Sequence, residues 1–451
     1  MYGGTSGNRL APEKEERKGD EKMQAMRKRI IIAALVALSC LTGITQAATY
    51  YWDANGTTAG FGTSLTGDWN SSAFWSVSSA GTATPVVWPG TANNDVIFSA
   101  VDCSSVSTVS VQNVLGPSAV NSVTTKAAAQ TVKLYGPTSG RLLTMTNAAS
   151  FNVENGTAAI DLDLAVNVAG SAGLNKTGAG VLRMYQASSY TGTTRIQQGT
   201  LLGGNNFIPD SSAVVIDSGA TLRFDGGGRQ ETVGSIAGAG SLFLKGPVAN
   251  AQALTSGGDN SSTVFSGLIS SENATGWFVK TGTGTLTLSG DNTYGQETRV
   301  DAGTLLINGN QSAATNAITV SFNAVLGGNG TTGGNIIFAD GAKLLFDVAS
   351  TLTADGATVD LGNLSVGNLV GLNNTVADGT YALIDGTAAL DFTSVQNLGA
   401  VNAADLGGGK SAYFDNGSLD LKLVVIPEPT TISMLGLGAL IAWAVRRQAM
   451  R

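Results

Sequence analysis

The sequence repeats itself. Lys176-Thr177-Gly178-Ala179-Gly180-Val181-Leu182 returns as Lys280-Thr281-Gly282-Thr283-Gly284-Thr285-Leu286, an offset of 104 residues. Each copy runs on to a tyrosine (Tyr190, Tyr294), then Thr194-Arg195-Ile196 or Thr298-Arg299-Val300. Each closes on Gly199-Thr200-Leu201-Leu202 or Gly303-Thr304-Leu305-Leu306. Over residues 176–202 the ungapped match keeps 12 of 27 residues. A duplication of this kind selects repeat architectures, whose units bury a core only by stacking on neighbours.

The unit is built for strands. Leu286 and Leu288 alternate with Thr285 and Thr287, the period-two pattern of a half-buried strand. Gly290-Asp291-Asn292 and Gly303 punctuate it as turns. The offset persists weakly beyond the pair, with Ala213-Val214-Val215-Ile216 against Ala317-Ile318-Thr319-Val320. Short apolar strands between glycine turns favour an all-β parallel solenoid, with an array of β-sandwiches as the alternative. Composition agrees: glycine is 60 of 451 residues and charged residues are 13%, while 43% hydrophobic content gives enough material for a core.

The Lys280-Thr281-Gly282 run, with Gly284, Leu286, Leu288, Tyr294 and Gly303-Thr304-Leu305, resembles the autotransporter-associated β-strand repeat. Val233-Gly234-Ser235-Ile236 and Phe265-Ser266-Gly267, before the second copy, resemble it too. The resemblance implies a right-handed parallel β-helix in an exported surface protein. The matching copies lie near 176–206 and 280–310, with weaker coils around them. Autotransporters end in a membrane β-barrel, whereas this chain ends in one short apolar segment, so self-translocation is not implied.

Both ends read as addresses. Arg27-Lys28-Arg29, an apolar run from Ile30 to Leu38 and Thr45-Gln46-Ala47 have the order of a secretory signal, with cleavage expected between Ala47 and Ala48. Its partners would be the Sec translocon and signal peptidase. Residues 1–22 precede it as a polar extension, and Met23 or Met26 is the better start. At the other end stand Pro427-Glu428-Pro429, the apolar run Ile432–Val445, and Arg446, Arg447 and Arg451. The flanking prolines keep Glu428 extended, and the arginines favour a cytoplasmic end. These three parts in order resemble the PEP-CTERM sorting signal of Gram-negative bacteria. That resemblance implies recognition by an exosortase-like membrane enzyme and a short C-terminal hydrophobic helix in the membrane, transient or lasting.

The expected organisation is a signal peptide with its extension (1–47), an aromatic-rich cap (48–110), a solenoid (111–377), a closing module (378–425) and the sorting signal (426–451). Four of the six tryptophans, Trp52, Trp69, Trp75 and Trp88, fall in the cap region. They would cover the first coil, or Trp52, Trp69 and Trp75 would stack on a glycan; exopolysaccharide is the candidate partner.

Chemistry is sparse. The chain has no histidine, which removes Ser-His-Asp and Cys-His catalysis, His-ligated zinc and proximal-His haem. Beyond residue 47 the 17 basic residues are scattered among 27 acidic ones, so no stripe follows a phosphate backbone and nucleic acid is disfavoured. With Cys40 inside the signal, Cys103 has no intrachain partner. Asp161 and Asp163 share a strand face and would be the catalytic pair of a polysaccharide-active β-helix. An outward acidic stripe over inward leucines explains them without chemistry. Arg195 and Arg299 read as pairing groups on the coil surface. No catalytic residue, cofactor or metal is assigned. The sequence therefore points to a non-enzymatic, exported β-solenoid with a structural or adhesive role, the alternatives being a secreted glycan-active enzyme or a glycan-binding protein.

Overall fold

The computed structural model describes residues 47–428 except 61, 63–65, 91–93, 100–107, 113–117, 127–130, 137–141, 155–157, 205, 226–229, 246–251, 273–275 and 416–418. Cys103 and the segment before Ala47, where the signal is expected, lie outside the described residues, as does the tail beyond Glu428. The described part is all-β: short strands follow one another around a coil and pair in parallel with the coils before and after, a parallel β-solenoid.

The longest sheet, of 16 strands, has Trp75–Ser76 at its edge, next to Thr49–Trp52, and runs through Leu174–Thr177, Thr194–Ile196 and Thr285–Leu288 to Leu369–Val370. A second sheet of nine strands ends at Leu268–Ser271, and a third of eight begins at Gln230–Val233. Parallel stacking therefore begins before residue 110: Thr49–Trp52 pairs in parallel with Asn94–Phe98. The aromatic region is already part of the first coils.

Period two explains the core. On the second sheet Leu162, Leu182, Leu201, Leu222, Leu242 and Ile269 stack in register over successive coils, and all are buried. Full burial of each such side chain is worth about 1.5–3 kcal/mol. A coil alone has no second surface against which to bury its leucine; the ladder supplies one above and one below.

Both ends abandon the parallel pattern. Trp75–Ser76 pairs antiparallel with Thr49–Trp52. At the far end Gly379–Asp385, Leu421–Pro427, Lys410–Asp415 and Ala404–Gly407 form a consecutive antiparallel set. Turning the last strands back on themselves shields solenoid edges that would otherwise template further pairing.

The duplication holds a surprise. In the first copy the Lys-Thr-Gly corner joins Leu174–Thr177, in the first sheet, to Val181–Met184, in the second. In the second copy the equivalent corner joins Gly276–Lys280, in the third sheet, to Thr285–Leu288, in the first. What repeats is a corner, and 104 residues leave it one side of the solenoid short of a whole number of coils.

Candidate functional site

Three places could carry function: the aromatic cluster, the repeat corners and the start of the sorting motif. Trp52, Trp69 and Trp75 are 4%, 0% and 0% exposed. Trp75 lies 4.7 Å from Trp69, 5.1 Å from Trp52 and 4.9 Å from Trp88 between ring centroids, mostly edge to face. Its indole Nε1 donates to the Trp69 carbonyl at 2.9 Å. Indole faces spent on one another cannot also stack on a sugar while the cluster is intact. The glycan contact expected of these three residues is thus replaced by packing.

At each repeat corner a lysine points inward. Lys176 and Lys280 are 0% and 1% exposed. Lys176 Nζ donates to the carbonyls of Thr177 (2.9 Å), Gly178 (2.7 Å) and Gln198 (3.1 Å). Lys280 Nζ donates to those of Thr281 (2.6 Å), Gly282 (3.0 Å) and Ala302 (3.1 Å). Two of the acceptors belong to the lysine's own turn and the third to the turn one coil on, so each ammonium ties two coils together. The glycine is required: Gly282 has φ +66°, and a Cβ there would sit 1.8 Å from the Gly257 carbonyl oxygen. Burial depresses both lysines to about 8; the Asp161 charge opposes this for Lys176.

The repeat's tyrosine completes the corner set. The Tyr190 hydroxyl bonds Thr194 Oγ1 at 2.6 Å and the Tyr294 hydroxyl bonds Thr298 Oγ1 at 2.5 Å, both buried. Burial pushes both phenols up, Tyr294 to about 12. Glu231, also buried, accepts the backbone N–H of Asn206 and, at 3.1 Å, that of Ile208. Desolvation outweighs those bonds and lifts its carboxyl to about 8.

The acidic pair is not an exposed stripe. Asp161 and Asp163 are 4% and 1% exposed. Asp163 takes the Arg183 fork through Nε (3.2 Å) and Nη2 (2.8 Å), and Asp161 Oδ2 accepts the Val181 N–H at 2.8 Å. Both carboxylates are engaged structurally. Arg195 pairs with Asp217 and Arg299 with Asp301, each at 3.0 Å on the surface, as their spacing suggests. Among the described residues no group of three or more acidic or cysteine side chains could hold a metal ion.

The sorting motif starts inside the fold. Leu421–Pro427 is the central strand of the closing set, with Pro427 in register with Lys410. The Glu428 N–H donates to the Gly409 carbonyl at 2.8 Å. Its carboxyl is hydrogen-bonded to Asp405, and that bond with the Asp405 charge raises it above the ordinary carboxylate value. Pro429, Arg446 and Arg447 lie outside the described residues, and among the described residues no helix is long and apolar enough to cross a membrane. Ala48 is exposed, directly before the first strand at Thr49.

Sequence reasoning found the lysines, tyrosines and glycines as markers of a repeat but not their job. Neither the Asp405–Glu428 contact nor the Arg223–Phe243 stack on the second sheet, described below, has a local signal in the chain.

Comparison with known proteins covers these same places. The passenger-associated-transport-repeat family matches residues 174–202 and 278–307, the two corners and their flanking strands. The adhesin BmaC autotransporter of Brucella suis biovar 1 (strain 1330) is 30% identical over 154 residues, which is 33% of this chain and 4% of the adhesin. The chain thus corresponds to a small fraction of that relative's length. The PEP-CTERM protein-sorting motif matches residues 425–448. The chain is therefore a parallel β-solenoid that carries two passenger-associated transport repeats and a PEP-CTERM sorting motif.

Proposed function

We propose that this chain is an exported protein of the cell surface or extracellular matrix with a structural or adhesive role and no enzymatic activity. The leader is removed between Ala47 and Ala48 after Sec export, and an exosortase-type membrane enzyme recognises Pro427-Glu428-Pro429. The apolar segment to Val445, closed by Arg446 and Arg447, holds the tail at the membrane meanwhile. The observation that carries this reading is the direct continuity between a solenoid bearing passenger-type repeats and a sorting motif. The likeness to an adhesin supports the adhesive part.

Sorting would act close to the folded strands. Only Pro429, Thr430 and Thr431 separate Glu428, tied to Gly409, from the apolar segment beginning at Ile432. The closing strands therefore arrive at the membrane surface together with the motif.

In a host with an exosortase, fractionation followed with an antibody to the solenoid tests the proposal. Wild type is expected in the surface or released fraction as a shortened form. Glu428→Ala is expected to accumulate as the longer form in the inner membrane, with at least a tenfold shift in the ratio of the two. Equal processing and release of both would reduce the tail to an ordinary anchor.

A further inference from the structure

The outer face of the second sheet carries a groove of about 400 Å³. Two in-register rows line it along the solenoid axis. Thr200, Thr221 and Ser241 form a row of hydroxyls; Leu202, Arg223 and Phe243 form a row of apolar and π surface interrupted by one cation. All but Leu202 are half-buried, so the rows form walls rather than loose surface chains.

Arg223 is the informative residue. Its guanidinium lies over the Phe243 ring, 5.2 Å from the centroid. Its Nε is buried and makes no hydrogen bond, and its Nη2 reaches Asp225 only at 3.5 Å. Two coils earlier in the same row, Arg183 lies over the ring of Tyr185 on its own coil, at 4.3 Å, and its fork is filled by Asp163 one coil below. The residue one coil below Arg223 is Leu202. Asp163 thus fills the Arg183 fork with two contacts, whereas Arg223 has one long contact to Asp225 at the rim and an unfilled Nε. Asp225 divides its carboxylate between Arg223 and Lys245, each at 3.5 Å, and Glu272 pairs with the same lysine at 3.3 Å; among the described residues Arg223 is the charged side chain that lines the groove itself. In a chain of net charge −7, a cationic lining is a local reversal.

We infer that this groove binds a linear acidic polysaccharide, a uronic-acid-bearing chain laid along the solenoid axis. Sugar C–H faces pack on Phe243 and Leu202, hydroxyls exchange hydrogen bonds with the Thr200–Thr221–Ser241 row, and a sugar carboxylate takes the Arg223 guanidinium as Asp163 takes Arg183. The inference deepens the adhesive role proposed above by naming its ligand class, and it is independent of the aromatic cluster.

The test is binding in solution by the purified full chain at about 0.15 M salt, with polygalacturonate, a neutral glucan and poly-glutamate as probes. Polygalacturonate is expected to bind at least tenfold more tightly than either of the others. Arg223→Gln and Phe243→Ala should each weaken it about tenfold, with unchanged β-type circular dichroism. Arg195→Gln, whose guanidinium serves Asp217 on another sheet, should leave it unchanged. The inference is overturned if the neutral glucan or poly-glutamate binds as tightly, if nothing binds, or if Arg223→Gln retains full affinity. Because no cell or membrane enters the assay, its failure would leave the sorting proposal standing, and a failure of sorting would not abolish binding.

Discussion

Lys280→Ala should open its corner. The substitution removes an ammonium that serves three carbonyls, those of Thr281, Gly282 and Ala302, in a position only 1% exposed. Each buried acceptor left without a donor costs about 1–3 kcal/mol, and the lost stem adds a cavity. A local loss of about 3–5 kcal/mol is expected, which is a fall of more than about a hundredfold in amide protection at Thr281, Asp301 and Ala302. Their N–H groups bond Ser256 and Lys280 across this corner. Lys280→Met, which keeps the stem and loses only the donors, separates capping from packing and should recover less than half of the loss. Coils far from the corner should keep their protection, since a solenoid couples mainly nearest neighbours. A protection change under threefold in both variants would mean that the lysine is a passenger in the repeat.

The same lysines give an unusual pH profile. A lysine whose folded pKa is depressed from 10.5 to about 8 contributes stability that is present above 10.5 and lost as pH falls through 8. Glu231 runs the other way: raised from 4.5 to about 8, it contributes stability present below 4.5 and lost by pH 8. The buried tyrosines, raised above 10, lose stability as pH climbs beyond 10, where the unfolded chain ionises. With no histidine to titrate between, stability should pass through a minimum near pH 8 and recover towards pH 10. The two lysines together supply about 2–6 kcal/mol of that recovery, at 1.36 kcal/mol per pKa unit less what relaxation recovers. Thermal melts of wild type and of a Lys176→Met/Lys280→Met double variant check it. The rise between pH 8 and pH 10 should be present in the first and absent in the second. Parallel profiles would show that the ammonium groups are solvated.

Much of this fold is legible in the chain for a simple reason. Strand alternation such as Leu286–Leu288 against Thr285–Thr287 is a local property, and parallel stacking merely repeats it, so the leucine ladder from Leu162 to Ile269 follows from the rhythm. The duplication shows which residues form a unit but not which side of the solenoid the unit occupies. The one-side shift between Lys176 and Lys280 depends on the summed lengths of the intervening coils, and no single position carries it. Buried lysine is the second blind spot. Charge alone argues for solvent, and only the convergence of three carbonyls from two coils makes the inside tolerable. The tryptophans illustrate the reverse case. Trp52, Trp69 and Trp75 have the composition of either a sugar platform or a core, and their mutual distances decide for the core. Glu428 reads as an exposed motif residue because its partners, Asp405 and Gly409, are neighbours only after the closing strands have paired.

The proposed route is export, then sorting at the strand that closes the solenoid. Mass spectrometry of the protein recovered from the cell surface, in hosts with and without an exosortase, tests it most directly. With the enzyme, the chain should begin at Ala48 and end at or next to Pro427-Glu428-Pro429, without the Ile432–Arg451 segment. Without the enzyme, the tail should be intact and the protein retained at the inner membrane. A surface form that runs through Arg451 in both hosts would contradict the account.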